Sequence, residues 1–412
     1  MKPNWFKPRR YKHFDVPVGA NFAEKVARTG FAAQHSFSPH ISYIKTEKRY
    51  RPTDPKKPHL GRQIKIKNRE IMYASHRDAC ILGYYSDQLG QRLEETYKGT
   101  NLHDCVIAYR RLGKANYHFA ADALGYARAN VPCSVLAFDV SGFFDSLDHA
   151  ILKRRLKSVL GVSELSPDWY AVFRQVTQFR KVALNDLRAH PVFGVRISDK
   201  TPRPIATVAE LKAAGVTIQP NPHKYGIPQG TPISSAFANL YMIEVDRTIA
   251  AACNKVGAFY RRYSDDILII CKPEDKLRLE SVVLDAVDSE RLTINIDKTE
   301  RTLFEVAGDR SAQYLGFSLH PSGAALRQSS LSRQWRKLRQ AAKRIKKVGA
   351  EAIATGRATK IYTRKLRKRF SPLPLRNFSS YARRSAEELD SKVIRRQARR
   401  LERELERIIS GF

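Results

Sequence analysis

Negative charge is scarce in this chain of 412 residues: 40 Asp and Glu stand against 74 Lys and Arg, leaving a formal net charge of +34. Such an excess repels itself in a compact state and attracts polyanions, so nucleic acid is the leading partner and an anionic membrane the second. Cysteine is also sparse. The five copies, Cys80, Cys105, Cys133, Cys253 and Cys271, are scattered, odd in number and without a CxxC pair. That excludes a zinc module or a disulfide framework and leaves small core residues. Long apolar runs are missing as well. Tyr225 to Ile243 is free of charge, but Gly226, Pro228, Gln229, Pro232, Ser234, Ser235 and Asn239 interrupt it, and lipid would leave their polar groups unpaired. The N-terminal "MKPNWFKPRRYKHFDVP" is basic but has no apolar core of signal-peptide length. The expectation is a soluble, cytoplasmic protein with no membrane partner.

Hydrophobic residues make up 42% and aromatics 10%, enough for two or three compact units with real cores. Residues 1–60 read as a basic, aromatic arm ending in the Pro-rich "RPTDPKKPH". "RQIKIKNREIMYAS" alternates on either side of Lys67-Asn68 and predicts a basic two-stranded hairpin there. Helical patterns follow through Tyr97 and over about 115–130. "CSVLAFDV" predicts a buried strand ending at Asp139, and Asp148 is placed to cap the next helix. Residues 183–224 read as an irregular insertion holding one short helix, because Thr207 and Glu210 have capping-box spacing. A helix is predicted from Pro232 to about Ala252, then a strand, turn and strand around Asp265-Asp266, a helix near 274–290, and strand-like "LTINI" and "AQYLGFSL". The last segment, 326–412, holds 26 basic against 7 acidic residues. Leu331, Trp335, Leu338, Ile345 and Val348 recur in it at helical spacing, which favours a helical nucleic-acid-binding domain over a merely solvated bundle.

The chemistry is carried by acids that this basic chain nevertheless sets side by side. "YRRYSDDILII" puts Asp265 beside Asp266 between strand-like flanks; alone, such a pair is usually a hairpin turn. "LAFDVSGFFDSLDH" supplies Asp139 at the end of a buried strand. If the two strands are neighbours, the carboxylates project at one edge, where they must share a proton or bind divalent metal. Oxygen ligands without His or Cys favour Mg2+, which keeps waters and accepts substrate phosphates. Two such ions can activate a 3′-hydroxyl and stabilise a departing pyrophosphate. In "YGIPQGTPISSAFANLYM" the glycines and prolines predict a loop of close backbone approach. The small residues of the following helix suit either a tight core or a platform for a base pair.

In order, "FDVSGFFDSLDH", "GIPQGTPISSAFANLY", "YRRYSDDILII", "LTINIDKTE" and "YLGFSLH" resemble the palm motifs of bacterial reverse transcriptases of the retron and group II intron superfamily. "REIMYASHRDACIL" and "CVIAYRRLGKANYHFAADAL" resemble its fingers motifs, so the likeness spans roughly residues 60–320. It is closest to the defence-associated "unknown group" branch. "RNFSSYARRSAEELDSKVIRRQARRLERE" is similar to a class of stand-alone anti-phage enzymes that use a noncoding RNA, their class 2.

The resemblance implies an α+β right-hand polymerase. Its parts would be an N-terminal arm (1–60), fingers (61–132), an antiparallel palm (133–325) with the insertion 183–224, and an all-α basic thumb (326–412). The implied activity is RNA-directed DNA synthesis with Mg2+ and dNTPs, copying a dedicated noncoding RNA into cDNA in anti-phage defence. Residue by residue, it puts metal binding on Asp139 and Asp265, with Asp266 as supporting acid. Phe144 matches the residue under the incoming sugar, where a ring excludes a 2′-hydroxyl. Gln229 and Gly230 match the loop at the nucleotide and template, and Lys298 a proton donor to pyrophosphate. Arg69 matches the arginine on the triphosphate, assisted by Lys65 or Lys67; its planar fork suits phosphate. Tyr314, Leu315 and Gly316 match the primer grip, and Arg110 and Lys114 would lie near template. Departures are Ser264, where many relatives have Ala or Cys, and Tyr73-Ala74 in place of an Ile-Pro step. No His/Cys-rich endonuclease segment or RNase H set of acids follows. A non-catalytic maturase-like RNA binder and an RNA-templated RNA polymerase are the alternatives.

Overall fold

The computed structural model describes residues 3–53, 61–372 and 376–412. Its strands are β1 (His40–Pro52), β2 (Arg62–Tyr73), β3 (Cys133–Asp139), β4 (Arg180–Ala183), β5 (Gln219–Pro220), β6 (Phe259–Tyr263), β7 (Asp266–Cys271), β8 (Glu300–Phe304), β9 (Ala312–Tyr314), β10 (Phe317–His320) and β11 (Gly323–Leu326). With helices interspersed throughout, the class is α+β, as expected. The chain divides into two compact units that interleave along the sequence. The first holds residues 1–110, 140–247 and 285–293, the second 111–139, 248–284 and 294–412.

In the first unit the sheet runs β2-β1-β4-β5. β1 and β2 pair antiparallel over their whole length, from Ile41 opposite Tyr73 to Pro52 opposite Arg62. This corrects the hairpin placed at Lys67-Asn68, which are mid-strand. The alternation changes phase there because Ile64 and Ile66 lie on an exposed face, at 53% and 61% exposure, so apolar did not mean buried. Residues 1–60, read as a basic, aromatic arm, hold two short helices and all of β1. Most of the Pro-rich stretch falls outside the described residues.

The His76–Lys98 helix is capped by Ser75, which accepts from Asp78 N at 3.2 Å. Leu82, Leu89, Leu93 and Tyr97 bury one stripe at helical spacing. Residues 183–224 are more ordered than expected, with helices Leu184–Ala189, Pro191–Ser198 and Val208–Ala213. Leu187, Phe193, Ile205 and Leu211 join Ile41 and Val182 in one buried cluster. The capping box of Thr207 and Glu210 is formed in both directions.

The second unit carries the antiparallel sheet β6-β7-β3-β8 and the smaller β11-β10-β9. β3 is central, and its nearly unbroken apolar run follows from burial on both faces. "LTINI" is not a strand; apart from one isolated bridge it is extended chain leading to a 3-10 turn at Ile296–Lys298. The predicted helix over 232–252 breaks at Met242 into Ser234–Tyr241 and Ile243–Lys255. The C-terminal helices share a core with the sheets. Leu331, Ala382, Ala386, Ile394 and Ala398 are buried with Val135, Leu268 and Phe317. In Lys392–Ser410, Ile394, Ala398, Leu401 and Leu405 bury a narrow stripe and leave the arginines outside.

Candidate active site

Strand register brings the acids together. Asp139, the last residue of β3, pairs with Asp266, the first of β7. Tyr263 pairs with the same Asp266, so Ser264 and Asp265 form a two-residue turn between β6 and β7. Ser264 takes φ 61°, a left-handed conformation that two-residue hairpins require and that few side chains accept easily. Arg262 props the turn from below: fully buried, it donates from Nη1 to the Ser264 carbonyl at 3.0 Å. Sequence reading missed Arg262, although strand alternation groups it with the buried Tyr260 and Ser264.

The 3-10 turn at Ile296–Lys298 is anchored by Asn295 N, which donates to the Asp139 carbonyl at 2.8 Å. It delivers the Lys298 ammonium to Asp139 Oδ1. Asp266 keeps an exposed edge, yet its carboxyl is pushed up to about 7, first by loss of hydration and then by repulsion from Asp265 and Asp139. Lys298 and Arg327 oppose that shift. A cross-strand pair of acids with a third beside it, only partly neutralised by a lysine, is a site short of positive charge.

No three His, Cys, Asp or Glu side chains among the described residues converge into a finished metal cage. Asp139, Asp265 and Asp266 offer hard oxygen donors in small number. They fit an ion that takes its remaining ligands from water and substrate phosphate, as Mg2+ does, better than one needing an all-protein cage.

In the first unit Phe144, Gln229, Gly230 and Arg69 lie on the 225–230 loop and the elements joined to it. Phe144 opens onto the 225–230 loop: its carbonyl accepts from Ile227 N at 2.8 Å, while Gly226 N donates to the Leu147 carbonyl at 2.9 Å. Its half-buried ring meets Phe143 edge-on, centroids 5.5 Å apart. Gln229 accepts at its carbonyl from Met72 N at 2.9 Å, tying the loop to the end of β2. Gly230 has φ +118°, and a Cβ there would lie 2.6 Å from the Met72 carbonyl oxygen, so only glycine fits. Three residues back along β2, Arg69 Nη1 holds Glu47 at 2.9 Å. Lys65 lies opposite Arg49 in the register, and its side chain falls outside the described residues. Ser234, Ala236 and Ala238 are buried, as in a tightly packed core helix.

Arg110 corrects an expectation. Its side chain is 2% exposed, and Nε and Nη2 clasp Glu94, both at 2.7 Å. Nη1 serves the carbonyls of His103 and Val106, and the guanidinium lies over Tyr97. Its donors are spent on packing, which leaves no fork for template phosphate. Lys114 is exposed, 3.4 Å from Asp122. Leu315 and Gly316 form the turn between β9 and β10 with φ 44° and 93°. Tyr314 is buried behind them with its hydroxyl unpartnered.

A family model described as "Reverse transcriptase (RNA-dependent DNA polymerase)" matches residues 87–319, more than half of the chain. Among solved structures, apo telomerase from Candida tropicalis truncated from its C-terminal domain is 13% identical with a TM-score of 0.46, over 74% of this chain and 59% of that one. Telomerase from Candida albicans in complex with the TWJ fragment of telomeric RNA is 12% identical with a TM-score of 0.48, over 95% of this chain and 65% of that one. The matches thus take in 59% and 65% of the length of those two chains.

Proposed function

The chain belongs to the reverse transcriptase (RNA-dependent DNA polymerase) family, and from that premise we propose that it synthesises DNA on an RNA template from dNTPs. The observation that carries this reading is the register of Asp139 opposite Asp266 with Asp265 in the adjoining turn. These three would hold divalent magnesium, which when bound supplies the Lewis acidity that activates a 3′-hydroxyl and neutralises the departing pyrophosphate.

The chain's own residues supply the rest. Lys298, held at Asp139, is the candidate proton donor to pyrophosphate. Phe144, tethered through its carbonyl to the 225–230 loop, is the candidate ring against a 2′-hydroxyl. Gln229 and Gly230 would line nucleotide and template. Arg69, with Lys65, would grip the triphosphate by exchanging Glu47 for phosphate. Tyr314, Leu315 and Gly316 would hold the primer end, and Lys114 would lie near template. In this scheme 61–132 serve as fingers, 133–325 as palm and 326–412 as a basic thumb holding duplex or RNA stem by shape and phosphate charge.

A dedicated noncoding RNA as template, a cDNA product, a role in anti-phage defence and a cytoplasmic location complete the proposal. They are supported by the motif likeness and, for the RNA, by the charge of +34. No helix among the described residues is long and apolar enough to cross a membrane. The test is primer extension on RNA with dNTPs and Mg2+. Asp265→Asn with Asp266→Asn is expected to abolish extension and leave RNA affinity nearly intact, because the thumb charge is untouched; extension that survives the double substitution refutes the assignment.

A further inference from the structure

A cleft of about 640 Å³ opens in the first unit, between the segment following the Phe31–Gln34 helix and the end of the Pro167–Thr177 helix. No residue proposed above for synthesis lines it. Its cationic groups are Arg174 and Arg180, His35 and His223 add imidazoles, and no Asp or Glu among the described residues lines it. A concave surface with two guanidinium groups and no lining carboxylate favours anions.

Both walls are preset. Asp168, 7% exposed, accepts from Gly30 N at 2.7 Å and Ala33 N at 2.8 Å. Asp78, 1% exposed, accepts from Ser38 N at 2.9 Å and holds His35 Nε2 at 2.7 Å. Two carboxylates withdrawn from water are stable only because backbone and imidazole donors satisfy them, and together they fix the 33–39 wall. Across the cleft, Arg174 and Gln178 are one helical turn apart and project on one side. Arg180 begins β4. Asn221 Nδ2 donates to the Thr177 carbonyl at 3.0 Å and the Tyr225 carbonyl at 3.2 Å. The His223 ring stacks on Tyr225 with centroids 4.7 Å apart.

We propose that this cleft binds one unpaired nucleotide with its phosphate, either as a free nucleotide or as a residue extruded from an RNA strand. The arginines offer planar forks to phosphate oxygens. The half-buried Phe37 ring offers a stacking face, and the exposed Gln178 amide can read a base edge. The volume is in the range of small-ligand sites. In the strand case the inference rests on the proposed handling of RNA; in the free-nucleotide case it stands apart from it.

The competing account is that Arg174 and Arg180 merely complement the negative end of the Pro167–Thr177 helix. Ultraviolet crosslinking of the full chain separates the two, using 4-thiouridine monophosphate in one arm and a short unpaired RNA carrying one 4-thiouridine in the other, with adducts mapped by mass spectrometry. Adducts are expected within 33–39 or 174–180. Labelling by RNA alone identifies a strand residue as ligand, and labelling by the monophosphate as well identifies a free nucleotide. Arg174→Ala with Arg180→Ala should cut these adducts about tenfold or more, the loss of roughly one charge-assisted bond, while adducts elsewhere on the chain persist and report that the variant is folded. No adduct in either arm overturns the proposal. So do adducts that survive the substitutions, the more so with a lowered unfolding midpoint, which would mark the arginines as helix caps. Primer extension by the unmodified protein is measured in parallel, so a failed polymerase reading and a failed cleft are told apart.

Discussion

Replacing Gly230 with alanine tests whether the 225–230 loop is built by close backbone approach. At φ +118° a side chain enters a region that essentially glycine alone occupies, at a cost of about 1–3 kcal/mol. The new Cβ would also lie 2.6 Å from the Met72 carbonyl oxygen and 3.1 Å from Ile71 Cγ2, and neither neighbour is a flexible side-chain end. Relief requires the loop to leave β2, which breaks the 2.9 Å bond from Met72 N to the Gln229 carbonyl and removes about 0.5–1.5 kcal/mol more. The combined local cost is about 1.5–4.5 kcal/mol. Gly257→Ala is the control: φ is +67° there, but nothing lies within 4 Å of the added Cβ, so only the backbone term of about 1–2 kcal/mol remains. Hydrogen exchange at the Met72 amide should accelerate strongly in the first variant and hardly in the second. Primer extension should fall by about 10²-fold in the first, since shifts near 1 Å in a reacting constellation have that effect. Equal behaviour of the two variants would refute the close-approach argument.

Phe144→Ala should admit ribonucleotides in competition assays; unchanged selectivity for dNTPs would remove its role against the 2′-hydroxyl. Arg110→Ala removes the fork on the partly exposed Glu94 and the bonds to two backbone carbonyls and should cost about 1–3 kcal/mol in denaturant unfolding, with template affinity unchanged at permissive temperature. His13 and His40 are buried neutral, their pKa values lowered by burial to about 3 and about 4. Above pH about 6.5 neither state takes up their protons. Below it the unfolded chain does and the folded one does not, so stability falls by about 1.4 kcal/mol per pH unit for each histidine until the folded values are reached. Urea midpoints between pH 7 and 4.5 should show this slope, and His13→Phe with His40→Phe should flatten it; a slope unaltered by the pair would place the acid sensitivity elsewhere.

Much of the candidate site was legible because its residues mark local geometry. Asp139 ends an apolar run, Asp265 and Asp266 interrupt one, and Gly230 sits where backbone must approach backbone. The extended β1–β2 hairpin was not, because Ile64 and Ile66 point to solvent and broke the rule that alternating apolar residues face a core. Arg110 was placed near template by motif likeness, and only the fold shows Glu94 and Tyr97 enclosing it.

Composition and periodicity determined on their own the excess of positive charge, the mixed class of secondary structure and the helical C-terminal segment. Those properties depend on totals or on neighbours a few residues apart. Tertiary structure alone decided that Asp139 stands opposite Asp266, that Lys298 reaches Asp139 from 159 residues away, that Arg262 is buried beneath the turn, and that Arg174 and Arg180 share a cleft. Each of these depends on strand register and on which distant segments pack together, and the energy that selects them is spread over the whole core.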